Sequence, residues 1–346
     1  MPATSGAAAV LKRCCFLFLA LAFLEISAAA QTSLNDVHVM PRQASPTIAG
    51  PVGSLELVGG SFLHVIKKDV NLVLVPVSVT DPMQRLVTGL VRENFEVFEG
   101  KRPQQIGHFS SEDAPVSIGI ILDNSGSMSD KMDRVREAVN QFCQAANPQD
   151  EFFLITFADE PRLASDFTST TEDLQNALLY THAKGRTALL DAIYMGIGTM
   201  RGAKYAKKAL LIISDGGDNH SRYGEGEVRS AVKESDVMVY SVGVFDRSVP
   251  TREEWLGPDL LSSIAEPSAG RAFTVLNASE LPAIAHRVGT ELRTQYVIGY
   301  WPEDAPRDGK WHKISVRLRL TKKLSWLRVQ ARTGYYAHAT EDKAWQ

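Results

Sequence analysis

Between Ser117 and Arg293, short apolar runs alternate with stretches in which apolar residues recur every three or four positions. Unbroken runs at Val116–Leu122, Glu151–Phe157, 208–214, Val237–Phe245 and Ala272–Leu276 are too short for helices and rich in β-branched residues, so they predict strands buried on both faces. Helical spacing covers 130–146, 172–181, 188–201, 225–235, 258–265 and 280–294. Strand and helix in strict alternation, with short connections, predict an α/β class domain over 115–295: a doubly wound, mainly parallel, Rossmann-like sheet covered by helices on both faces.

On either side of this unit the pattern changes to period two. Residues 62–110 hold a strand at Leu72–Thr80 and a hairpin at Phe95–Phe98 turning through Glu99-Gly100-Lys101. Residues 296–338 hold Tyr296–Trp301, then Trp311–Leu320 with Ile314, Val316, Leu318 and Leu320 on one face, then Leu324–Tyr336. Fewer than fifty residues of strand would be marginal alone. The two flanks are therefore expected to pair with each other in a small β-sandwich into which the α/β unit is inserted; two separate β appendages are the alternative.

The chain start reads differently again. Lys12 and Arg13 precede an apolar run from Cys14 to Leu24, and Ala28-Ala29-Ala30 follows, the order of a secretory signal peptide over 1–30 with cleavage after Ala30. An uncleaved anchor is the rival, but the run falls short of the roughly 20 residues a spanning helix needs, so no stable membrane span is expected after cleavage. Residues 31–60, rich in Ser, Pro, Gly and Thr, predict a disordered leader, with order beginning near Phe62. The net charge of −3 becomes one unit more negative when Lys12, Arg13 and Glu25 leave, which provides no footprint for nucleic acid. Of the three cysteines only Cys143 survives cleavage, so no intramolecular disulfide can form. Cys143 shares a helical stripe with Met132, Val135, Val139, Phe142 and Ala146 and is expected to be a buried small hydrophobe.

Candidate chemistry sits where the first strand of the α/β unit stops. Asp123-Asn124-Ser125-Gly126-Ser127 places one carboxylate and two hydroxyls on alternate residues at a strand's carboxyl end, where open α/β sheets bind ligands. Asp, Ser and Gly are also ordinary turn residues, so the spacing alone is weak. Two further oxygen donors strengthen it: Thr187 lies in a loop just before a helix, and Asp215 ends a second apolar strand. An all-oxygen set of this kind suits a hard divalent cation such as Mg2+, or Mn2+ or Ca2+.

Asp123, Ser125, Ser127, Thr187 and Asp215, on three loops in this order, resemble the metal-ion-dependent adhesion site of von Willebrand factor type A (VWFA) domains. With the flanks included, the chain resembles bacterial secreted proteins called VWFA-related, abundant in acidobacteria. The resemblance implies a secreted or periplasmic protein-binding module. Ser125 and Ser127 would be direct ligands, Thr187 direct or through water, and Asp123 and Asp215 would supply charge, with an open position for an exposed Asp or Glu of a protein partner. No enzymatic activity is implied. A structural subunit of an envelope assembly is the alternative, and a hydrolase using Asp123, a serine and His220 is a weaker one, since no G-x-S-x-G, H-E-x-x-H or P-loop is present. Asp191 is expected to be a structural hydrogen-bond acceptor, Asp218, Asn219 and His220 to shape the rim, Gly126 to permit a tight turn, and Arg186 to be an exposed, solvated side chain.

Overall fold

The computed structural model describes residues 72–245, 252–303, 308–319 and 326–337, with the side chains of 252–254 excepted. All lie in one of the two compact units of the chain, Lys67–Gln346. The expected signal peptide, the leader, the onset of order near Phe62 and residues 320–325 fall outside the described residues.

In chain order the strands are β1 (Val73–Thr80), β2 (Phe95–Glu99), β3 (Arg102–Gln104), β4 (Ile106–Ser110), β5 (Val116–Asp123), β6 (Glu151–Phe157), β7 (Pro161–Thr168), β8 (Lys207–Ser214), β9 (Val237–Val244), β10 (Ala272–Val275), β11 (Tyr296–Tyr300), β12 (Trp311–Leu318), β13 (Arg328–Ala331) and β14 (Gly334–Tyr336). The α-helices are α1 (Met132–Gln144), α2 (Thr171–Leu179), α3 (Leu189–Thr199), α4 (Glu225–Glu234), α5 (Arg252–Ala265) and α6 (Leu281–Thr294).

The central sheet runs β10-β9-β8-β5-β6-β7, parallel throughout except for β7. β5 is buried at every residue because strands flank it and helices cover both its faces. Ile118, Ile120 and Leu122 share a core with α1, α2 and α6, while Ile121 packs with α3, α4 and α5. This is the doubly wound α/β architecture that the alternating pattern predicts. Strand order reverses between β5 and β8: the chain leaves β5 toward β6 on one side and returns to β8 on the other. That arrangement leaves a crevice at the carboxyl ends of β5 and β8.

Two four-stranded antiparallel sheets, β13-β1-β11-β4 and β14-β12-β2-β3, accompany the central one. Strands from before and after the α/β unit hydrogen-bond to each other: Val75 lies opposite Ile298, and Val316 opposite Val97. Their inward faces share one core that includes Val75, Val77, Phe95, Val97, Tyr296, Ile298, Tyr300 and Ile314. The β-sandwich is thus built from both flanks.

Three elements depart from the sequence reading. β7 was not anticipated: it is an antiparallel edge strand of mostly exposed or half-buried residues, so it carries no apolar alternation to read. Helix α5 begins at Arg252 with Pro258 inside it, where the sequence reading starts the helix at 258, next to the proline. The expected single strand Leu324–Tyr336 is two strands in different sheets, broken at Arg332 and Thr333. The Thr333 hydroxyl donates to the Pro267 carbonyl and the Arg332 guanidinium pairs with Asp236, so the break ties the sandwich to the α/β unit.

Candidate functional site

The end of β5 delivers Asp123 into the crevice, fully buried. Its Oδ1 accepts the Ser125 backbone N–H at 2.8 Å, which folds the chain back so that Ser125 and Ser127 follow on one short 3-10 turn. The two hydroxyl oxygens stand 3.1 Å apart. Ser125 is buried and Ser127 exposed, so the pair spans the wall and the mouth of the crevice. Lys131, itself buried, donates from Nζ to the Ser127 carbonyl at 3.0 Å and anchors the turn to the start of α1.

The second loop joins through backbone. Gly126 N–H donates to the Gly185 carbonyl at 3.1 Å and Lys184 N–H to the Asn124 carbonyl at 2.9 Å. Gly185 has φ +87°, a left-handed conformation that favours glycine, and a Cβ there would lie 2.6 Å from Asp159 Oδ2. Gly126, by contrast, has ordinary space around a Cβ and no positive φ. The turn glycine of this pair of loops is therefore Gly185, not Gly126. Two residues on, Thr187 is buried; its N–H donates to Asn219 Oδ1 at 3.1 Å, and its carbonyl accepts the N–H groups of Asn219 and His220.

The third loop leaves β8. Ser214 Oγ donates to Asp123 Oδ2 at 2.5 Å and accepts the Gly216 N–H at 3.0 Å, bridging the two strand ends. Asp215 is buried, and its Oδ2 has no hydrogen-bond partner among the described residues. Burial first, and the Asp215 charge second, push the Asp123 carboxyl up to about 7. Gly216 (φ +76°) lets this loop lie against Gly257 of α5: a Cβ on Gly216 would sit 2.6 Å from the Gly257 Cα.

The structure thus brings Asp123, Ser125, Ser127 and Asp215 to the carboxyl edge of the two strands at the switch point and ties the Thr187 loop to both neighbouring loops. Ser214, Gly185, Gly216 and Gly257 were not singled out from the sequence. The legible signals were the polar residue closing an apolar strand at Ser214 and the glycine just after Asp215; Gly257 is far away in sequence and carries none. No group of three or more His, Cys, Asp or Glu side chains with metal-site geometry occurs among the described residues. The donor set here is two carboxylates with hydroxyls, the hard-oxygen chemistry of Mg2+. An unpaired buried carboxylate oxygen beside a second buried carboxylate fits a cation at this position, since like charges out of water are costly without one.

The neighbouring acids have other work. Asp191 Oδ1 accepts the backbone N–H groups of Arg222 (2.8 Å) and Tyr223 (3.0 Å), making it the structural acceptor the sequence suggests. Asp218 accepts from Leu190 N–H at the start of α3 and from the Ser221 hydroxyl. The His220 ring meets Arg186 Nη1 at 3.3 Å, and among the described residues no histidine ring hydrogen-bonds a serine hydroxyl.

Residues 118–217 match the family model described as von Willebrand factor type A domain. No curated protein matches the chain. Among solved structures, a conserved hypothetical protein, BatB, from Bacteroides thetaiotaomicron is 19% identical, covering 51% of this chain and 98% of its own, with a TM-score of 0.42. A von Willebrand factor type A protein from Catenulispora acidiphila is 15% identical over 80% of this chain and 76% of its own, TM-score 0.46. The von Willebrand factor domain of a type V pilus tip protein from Porphyromonas gingivalis is 12% identical over 51% and 95%, TM-score 0.40. The matched stretch runs from β5 through the Asp215 loop, so the part of the α/β unit that carries the candidate site is the part that matches the von Willebrand factor type A domain model.

Proposed function

We propose that this chain is a metal-ion-dependent protein-binding module that acts outside the cytoplasm, in the envelope or beyond it. One Mg2+ or Mn2+ is held by Asp123, Ser125, Ser127, Thr187 and Asp215, and an open coordination position takes an Asp or Glu from a protein partner. The observation that carries this reading is the pair of buried carboxylates at the switch point, one of them with an oxygen that nothing in the described residues satisfies. Two carboxylates on a divalent ion leave the site near neutral, and a neutral site accepts a further anion more readily than one that is already negative. The ion supplies a Lewis-acidic position; the chain supplies its placement, with Ser214 and the Ser125 N–H orienting Asp123. This reading requires no catalytic step.

The secretory part of the proposal rests on residues 1–30 of the sequence. No helix among the described residues is long and apolar enough to cross a membrane. Calorimetry with MnCl2 and MgCl2 tests the metal reading: wild type binds one ion and Asp123→Ala does not. Equal binding by both would reject the assignment.

A further inference from the structure

Past Asp215 the chain stays close to the crevice before it turns into α4. Asn219 and His220 donate their backbone N–H groups to the Thr187 carbonyl, and the following residues lie along the first turns of α3. Asp218 accepts from Leu190 N–H, the Ser221 hydroxyl accepts from Asp191 N–H at 3.1 Å, and Asp191 accepts from the N–H groups of Arg222 and Tyr223. The Tyr223 ring then stacks on Tyr194 of α3, with centroids 3.9 Å apart and planes 18° from parallel. A continuous series of bonds therefore leads from Thr187 to a pair of stacked tyrosines. Tyr194 is five residues beyond Leu189, so it lies about 8 Å along the helix from the end nearest Thr187.

Two arginines accompany this path. Arg186 is exposed beside Thr187, its Nη1 3.3 Å from the His220 ring, and forms no ion pair among the described residues. Arg222 reaches Asp191 through Nε at 3.3 Å, while 83% of its side chain stays in solvent. The acids at the start of α4 are engaged elsewhere, Glu225 by the Ser263 hydroxyl and Glu227 by the Gly224 N–H. Lys184, also exposed, stands on the same loop as Arg186. The exposed charges flanking the other loops are acids: Asp130 ahead of α1, and in the turn after β6 Glu160 and Asp159, which accepts the Arg186 backbone N–H.

A partner that brings a carboxylate to the cation is repelled toward α1 and β6 and attracted toward α3. Tyr and Arg are also the side chains that dominate interface energetics once a partner displaces water from them. Resting on the metal-dependent reading above, we propose that the partner lies over the Thr187 side of the cation position and onto α3. Its occupant is a protein loop that places one Asp or Glu in the open position. A second acid faces Arg186 and Arg222, and an aromatic or aliphatic side chain covers Tyr194 and Tyr223.

The test uses the full chain and a phage-displayed library of disulfide-closed random peptides, selected in Mg2+ and eluted with EDTA. Selected peptides are titrated against wild type, Tyr194→Ala, the double variant Arg186→Ala with Arg222→Ala, Asp130→Ala and Asp123→Ala. The first three variants should keep wild-type Mn2+ affinity, because none of these side chains is among the cation's donors. Tyr194→Ala should weaken the peptides by about tenfold and erase the preference for an apolar residue. The double arginine variant should weaken doubly acidic peptides by a similar factor, and Asp130→Ala should weaken none. EDTA-sensitive peptides that bind Tyr194→Ala and the arginine variant as tightly as wild type, or that lose affinity only on Asp130→Ala, would overturn this surface and leave the metal reading standing. Peptides that ignore EDTA and bind Asp123→Ala equally, or a selection that yields no EDTA-eluted peptide, would count against the metal reading and the surface with it.

Discussion

Where the α/β unit meets the sandwich, the fully buried carboxylate of Glu291 pairs with the Arg271 guanidinium and accepts from the Tyr240 hydroxyl at 3.3 Å, and Gln295 links that hydroxyl at 2.9 Å to Ser78 of β1 at 3.2 Å. In the sandwich itself, Glu99 accepts from Tyr300 and meets the His312 ring at 2.9 Å. At the carboxyl edge of the parallel sheet the treatment is opposite: Asp215 keeps an oxygen unpaired, next to a second buried acid. Buried polar groups are ordinarily satisfied, and a buried acid given its cation in the fold is costly to separate from it. A buried acid left without one is held in place by the rest of the structure for something that arrives later. The difference lies in the acids: Glu291 has a cation in the fold and Asp215 has none among the described residues, which separates a structural seam from a candidate binding site.

Substitutions at these acids sharpen the contrast. Glu291→Gln leaves Arg271 facing an uncharged amide in a buried setting, and urea unfolding should show a loss of about 3 kcal/mol, since breaking one side of a buried pair costs most. Next in size is the metal itself. Mg2+ at a hundredfold excess over its Kd should add about 2.7 kcal/mol to wild type and nothing to Asp123→Ala, read as a shift of the unfolding midpoint. Asp191→Ala should cost about 1–2 kcal/mol with or without Mg2+, because it strands the N–H groups of Arg222 and Tyr223 without touching the cation position. Asp215→Asn in EDTA should cost under about 0.5 kcal/mol or raise stability, as it relieves repulsion with Asp123. If it destabilises as much as Glu291→Gln, the contrast between seam and site is wrong.

The smallest effect concerns Cys143, the one cysteine among the described residues. Burial pushes Cys143 up to about 12. Because the folded value lies above the ordinary 9.0, the protonated thiol favours the folded state below pH 9, and this contribution fades as the pH rises toward 12. At pH 8 iodoacetamide should therefore label Cys143 only after unfolding; rapid labelling of native protein would contradict the burial.

The inner strands of the central sheet were readable because helices cover both their faces, so a run such as Val116–Leu122 must be apolar at every position. β7 was not, because an edge strand half in water imposes no such demand. Helix α5 was half readable: Leu261, Ile264 and Ala265 show its buried face, while the turns before Pro258 pack through Gly257, a residue whose role is to be small. Cys143 followed its stripe and packs half-buried against the core of α1 and α6. In the candidate site, Asp123, Ser125 and Ser127 could be grouped from spacing, since residues two apart on one turn stay near each other. Asp191 could be read as structural from its place in the first turn of α3.

What the chain determined by itself was local: which segments are strands or helices, and which polar residues stand at strand ends. Those follow from the periodicity of burial and need no knowledge of partners. The tertiary structure alone decided which ends meet. Asp123 and Asp215 lie ninety-two positions apart, and their meeting depends on strand order reversing between β5 and β8. It decided equally that Ser214 reaches back to Asp123, that Gly257 yields space to the Asp215 loop, and that Arg186 meets the His220 ring. Contacts between distant segments are set by the packing of whole layers, which no single window of sequence encodes.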